Sequence, residues 1–175
     1  LTKDLDIPYI PLNTSEPNKE LYEKFKNQIP LLSEFYHSEY DCDRHLVRDI
    51  VAYIDTDPYY QTDEAYEKIN ECLHYIKDSS EKMKVRWSKY LLQIAIDVQI
   101  AWSAGTLVGA GRGSGVGFCL LNILGITQIN PLREKTKTYP WRFLNPERAS
   151  VLDIDIDICG SKREAVIQAM KDTYG

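Results

Sequence analysis

Apolar residues recur at three- and four-residue spacings through residues 18–27, 30–37, 43–54 and 63–76, with acidic residues near the start of the stretches. That spacing predicts a run of amphipathic helices. Ahead of them, residues 1–13 carry Pro8 and Pro11 and predict an extended entry segment, with Ser15, Glu16 and Pro17 offering a helix start. Residues 81–104 predict a longer helix. Its second half (Tyr90, Leu91, Ile94, Ala95, Val98, Ala101 and Trp102) is apolar over much of the circumference, which suits a path through the core, and Gly105 stops it.

Past Gly105 the pattern changes. Residues 106–108 favour strand and lead into a glycine-dense run, and residues 116–124 predict a buried helix ended by Gly125. A charged, proline-bearing connection follows Thr127. Residues 149–158 then alternate Asp with Ile or Leu at the two-residue period of a strand, and residues 162–174 predict a last helix. The expected fold class is α+β: a mostly helical extension over residues 1–80, then a unit over residues 81–175 built on a small mixed sheet.

Charge and cysteine usage narrow the function. The formal charge of −5 over 175 residues argues against a generic nucleic-acid coat, which needs clustered cations. Two local clusters exist, Lys82, Lys84, Arg86 and Lys89, and Arg133, Lys135, Lys137, Arg142 and Arg148; solvated surface is the plain reading of each. Cys42, Cys72, Cys119 and Cys159 form no CxxC pair and fit reduced thiols in a cytoplasmic protein, with neither disulfides nor structural zinc expected. The longest apolar run, residues 118–126, falls far short of the about 20 residues that cross a bilayer. Because the chain opens on Leu1 and closes just after a helical stretch, it reads as a piece of something longer.

Two elements carry candidate chemistry. In residues 152–158 the two-residue period puts Asp153, Asp155 and Asp157 on one face and the branched apolar residues on the other. A row of like charges suits a hard cation such as Mg²⁺, which takes one or two carboxylates and completes its shell with water and phosphate oxygens. An acidic edge strand that discourages aggregation gives the same pattern. The second element, residues 108–117, contains Gly109, Gly111, Gly113, Gly115 and Gly117 but neither a G-x-G-x-x-G register nor a G-K-[ST]. Such a loop can bring backbone N–H groups against an anion, with Ser114 and Arg112 beside it. A tight turn also needs glycine, though fewer.

The order of these elements resembles the C-family DNA polymerases, the alpha subunit of bacterial DNA polymerase III, within the polymerase beta-like nucleotidyltransferase superfamily. The family's V-G-P-G-R-G-S matches residues 108–114, with Ala110 in place of proline. L-G-I-T-x-I-x-P-L stands at residues 124–132 and R-F-L-N-P-E-R-x-S at residues 142–150. P-D-x-D-x-D matches residues 152–157, with Leu152 for proline.

The resemblance implies a palm-type fold for the C-terminal part and a DNA-directed DNA polymerase activity in the whole protein. It implies that Asp153 and Asp155 bind catalytic Mg²⁺ with Asp157 on their face, and that Gly113 and Ser114 cradle the dNTP triphosphate. Arg112, Arg142 and Arg148 are then placed to neutralise phosphates, and Asn145 and Glu147 to shape their loop. Partners implied are dNTP, primer-template DNA and other replisome subunits, with no membrane. The family's third metal-binding aspartate lies further along than Gly175, so the piece alone is expected to be inactive. His37, His45 and His74 are isolated and do not form the family's phosphoesterase ligand set. A non-catalytic interaction domain and a nucleotidyltransferase acting on a small acceptor are the alternatives.

Overall fold

The computed structural model describes residues 8–135, 137–148 and 152–175. The amphipathic spacing of the first half is realised as helices. α1 (Lys19–Phe25) starts at Asn18, whose side-chain oxygen accepts the Leu21 amide, and α2 (Leu32–Tyr36) follows after a turn. α3 (Asp41–Ile54) buries Leu46, Val47, Ile50, Val51 and Ile54, and α1 and α2 pack against it. α4 (Asp63–Met83) is capped by Thr62, whose hydroxyl accepts the Ala65 amide, with Asp63 and Glu64 at the positive end of the helix dipole.

The junction of α4 with α5 (Trp87–Ser103) differs from the expected one. Residues 81–83 complete α4 instead of opening the next helix. Lys84 then adopts the left-handed conformation at φ 56°, and the Val85 amide reaches back to the Ser80 carbonyl. Glycine is the usual residue at such a stop, so a lysine there leaves no mark in the sequence.

The core runs across both halves of the chain, from Tyr22 and Phe25 through Trp87 and Phe118 to Leu152. α6 (Cys119–Ile123) is buried throughout. Its one polar residue, Asn122, is satisfied on both sides: Tyr60 donates to Oδ1 at 2.8 Å, and Nδ2 donates to the Thr127 carbonyl. The cysteines are free, and Cys72 and Cys119, far apart in sequence, bring their sulfurs to 3.6 Å. α7 (Arg163–Tyr174) docks on α5 where the Tyr174 hydroxyl donates to Asp97 at 2.7 Å and accepts from Gln93.

The expected α+β class is overturned. Among the described residues there is no strand and no sheet, and the fold is mainly helical. The extended segments at residues 106–108 and 152–158 share one antiparallel bridge, Val108 to Ile158. The alternation of Asp with apolar residues was a sound guide to backbone shape. Leu152 is buried, Ile154, Ile156 and Ile158 are half-buried, and the three aspartates face outward.

A sheet needs more than an extended backbone, because successive backbone groups must find a ladder partner. The Gly109 amide bonds the Asp157 carbonyl, but the Cys159 amide goes to the Thr106 side chain. The chain then turns off at Gly111, where φ is 127°. Residues 149–151 of the expected strand lie outside the described residues. No helix among the described residues is long and apolar enough to cross a membrane.

Candidate metal and nucleotide site

The acidic segment is fixed at both ends. At its start the Tyr90 hydroxyl, carried on α5, donates to the Leu152 carbonyl at 3.1 Å. At its end the Gly109 amide donates to the Asp157 carbonyl at 2.8 Å, and the Cys159 amide to Thr106 Oγ1 at 3.1 Å. Burial, and then the negative charge of Asp153, hold the Tyr90 phenol above its usual pKa, so it remains a donor. The sequence pattern puts Tyr90 on an apolar helix face, Thr106 in a strand-favouring stretch and Gly109 in the anion-type glycine loop, and marks none of them as an anchor of the acidic segment.

Between those anchors the carboxylates stand in solvent, and the glycine loop reaches them through Arg112. Its Nε lies 3.1 Å from Asp157 Oδ2 and its Nη1 lies 3.7 Å from Asp155 Oδ2. All three side chains are more than half exposed, so the pairs contribute little to folding. Their value is positional: a single cation spans two neighbouring acids.

The loop's glycines divide by role. Gly109 and Gly111 permit close approach, since an added Cβ would lie 3.1 Å from Asp157 Cβ in the first case and 3.0 Å from Thr127 Cγ2 in the second. Gly113, at φ 73°, has open space around it, and Ser114 beside it is exposed. The helix expected over residues 116–124 is shorter than the pattern implied. Residues Gly113–Gly117 form a 3-10 turn, and α6 begins only at Cys119, so a helix dipole adds little at the loop. Available donors there are the backbone and the Ser114 hydroxyl.

The remaining arginines ride on the connection that packs beside the loop, where Phe143 meets Phe118 and the Cβ side of Gly115. Arg142 lies 5.8 Å and 5.6 Å from the Tyr139 and Trp141 ring centres, and Arg148 Nη1 reaches the Arg142 carbonyl at 3.5 Å. Asn145 shapes this loop as an Asx turn, its Oδ1 accepting the Glu147 amide at 2.9 Å, while Glu147 takes part through its backbone. The histidines stay apart: His45 is buried against the Tyr9 hydroxyl, His74 pairs with Asp78, and His37 bonds the Ser33 carbonyl.

For a divalent cation the donor set is oxygen, as Mg²⁺ requires, and the acids are accessible. Among the described residues no three His, Cys, Asp or Glu side chains gather into a ready-made cage. An ion held by one or two of these carboxylates must take its other ligands from water or a phosphate, which is the usual manner of Mg²⁺.

Fold and site together define a mainly helical domain in which a glycine-serine loop is tied by backbone and arginine to a row of aspartates. The chain belongs to the family described as the bacterial DNA polymerase III alpha NTPase domain, whose sequence model matches residues 42–175. It is 48% identical over 86 residues to the DNA polymerase III subunit alpha of Chlamydia pneumoniae, covering 49% of this chain and 7% of that protein. It is 34% identical over 122 residues to the probable DNA polymerase YorL of Bacillus subtilis and to a DNA-directed DNA polymerase of Bacillus phage SPbeta, covering 65% of this chain and 9% of each relative. The chain thus spans less than a tenth of the length of these relatives.

Proposed function

We propose that this chain supplies the nucleotide and metal platform of a DNA-directed DNA polymerase that adds dNTPs to a primer on template DNA. Asp153 and Asp155 hold Mg²⁺, with Asp157 flanking them. Gly113 and Ser114 cradle the triphosphate, and Arg112, Arg142 and Arg148 balance its charge. The observation that carries the reading is the tie between loop and acids: the bond from Gly109 to Asp157 and the reach of Arg112 to Asp155 and Asp157 put the glycine-serine loop within one side chain of the carboxylate row.

Mg²⁺ bound there lowers the charge cost of 3′-hydroxyl attack on the α-phosphate. The chain's own part is positional and electrostatic. The Tyr90 and Gly109 bonds hold the acid segment extended, so that Asp153 and Asp155 present oxygens on one face. Arg112 serves as counter-cation to Asp155 and Asp157 in the structure described. With a metal-chelated triphosphate bound, Asp153 and Asp155 would hold the cation and Arg112 would be free to contact phosphate oxygens, which its planar fork suits.

Asp153→Asn and Asp155→Asn, made in the whole protein, are the test. Each is expected to remove primer extension while leaving thermal stability nearly unchanged. Extension at the parental rate by both variants would end the assignment and favour a non-catalytic interaction domain.

A further inference from the structure

We propose that the connection over residues 133–148 carries a stacking surface for single-stranded DNA, with Tyr139 and Trp141 as its base-contacting side chains. Both rings stand in solvent, 43% and 42% exposed, on a segment whose neighbours Pro140, Phe143 and Leu144 are buried. Their centres are 5.9 Å apart with planes tilted by 36°, and the Arg142 guanidinium lies within 6 Å of each. The buried proline and phenylalanine hold the backbone, so the aromatic pair is displayed by the fold and not left over by a loose loop. Leaving two large rings in water forgoes the free energy their burial would give, and a ligand that covers them recovers it.

Charge selects the kind of ligand. Within residues 133–148 stand five cations, Arg133, Lys135, Lys137, Arg142 and Arg148, against two anions, Glu134 and Glu147, in a chain whose overall charge is −5. Aromatic faces interleaved with Lys and Arg are what an unpaired strand requires, because its bases offer π-faces while its backbone offers phosphates. A protein-binding patch would share the tyrosine, tryptophan and arginine but is depleted in lysine, and Lys135 and Lys137 stand here. Duplex DNA satisfies the cations but keeps its base faces stacked inside the helix. Beside Tyr139, a cleft of about 260 Å³ opens between α4 and the connection, lined by Lys68 and Lys137 but also by Glu64 and Glu134, and reaching Gly117 of the glycine loop. A strand on this surface therefore runs next to that loop. Strand binding stands on these residues alone; that the strand is a polymerase template rests on the reading above.

The test uses the chain carrying Trp102→Phe, which leaves Trp141 as the exposed indole, since Trp87 is fully buried. Titration with an oligo-dT of about ten nucleotides is expected to quench tryptophan emission. Because Trp141→Ala removes the reporting indole, affinities of the variants are read from the anisotropy of an end-labelled oligo-dT: Trp141→Ala and Tyr139→Ala are each expected to weaken binding by ~10-fold, with unchanged helical circular dichroism, and a duplex of equal length is expected to show no such sensitivity. Absence of quenching in the Trp102→Phe parent, parental affinity in both alanine variants, or equal sensitivity of duplex binding overturns the proposal. So does a variant that loses association with another protein segment while its oligonucleotide affinity stands.

Mg²⁺-dependent dNTP binding, measured alongside, separates this inference from the site reading. Loss of oligonucleotide binding with dNTP binding retained sinks only the stacking surface. Loss of dNTP binding with quenching retained sinks only the nucleotide site.

Discussion

The amide of Gly109 donates to the carbonyl of Asp157 across 2.8 Å, so the first glycine of the loop and the last acid of the row are joined by one backbone bond. A Cβ at position 109 would stand 3.1 Å from Asp157 Cβ, closer than such atoms comfortably pack. Gly109→Ala is therefore expected to displace the acidic segment at a cost of about 1 kcal/mol, and to weaken Mg²⁺-dependent dNTP binding several-fold. Gly160, with nothing within 4 Å of its Cβ position, is the control. Urea unfolding and calorimetric titration of Gly109→Ala and Gly160→Ala check both effects; equal behaviour of the two variants would contradict the tie.

Arg112 makes opposite contributions to metal and nucleotide binding. It competes with any cation for Asp155 and Asp157, yet it is the loop's own positive charge. Arg112→Ala should bind free Mn²⁺ more tightly than the parent and dNTP less tightly. Paramagnetic relaxation with Mn²⁺ alone, then with dNTP added, reads the two signs, and a shift of both in the same direction would rule out the exchange of partners.

Lys84 sits in the left-handed region at φ 56°. An L-residue is strained there by ~1 kcal/mol relative to glycine. Lys84→Gly is expected to raise unfolding stability by up to that amount, less a part lost to the freer unfolded chain. A denaturant midpoint that falls would show that the α4 stop is held by something other than backbone preference.

At high pH the α5–α7 contact should weaken through Tyr174. Burial, and then its hydrogen bond to the Asp97 carboxylate, push the Tyr174 phenol from its ordinary 10.0 up to about 12. The protonated phenol is the form the folded state favours. Its contribution is complete below about pH 10 and is lost as pH rises toward 12. Tyr174→Phe should be less stable at pH 8 and should lose less further stability between pH 10 and 12 than the parent. Thermal unfolding across that range decides, the other phenols being common to both proteins.

Much of this molecule can be read from its sequence, and the losses have physical causes. The helical half follows from apolar spacing, and the two-residue period separates Asp153, Asp155 and Asp157 from the more buried Leu152, Ile154, Ile156 and Ile158. The sheet was misjudged because alternation specifies extension, while pairing depends on where distant amides such as those of Gly109 and Cys159 find acceptors. The Tyr90 anchor was hidden because tyrosine on an apolar helix face looks like core until its hydroxyl has a partner. Tyr139 and Trp141 gave no periodic signal, since their display depends on the burial of Pro140 and Phe143 around them.

The most direct measurement is a crystal of this chain soaked with Mn²⁺ and a dNTP, read by anomalous difference density. A manganese peak bonded to Asp153 and Asp155 is expected, with the triphosphate against Gly113 and Ser114 and Arg112 turned from the acids to the phosphates. Nucleotide bound elsewhere, or triphosphate at the loop with metal held away from those two carboxylates, would contradict the site assignment.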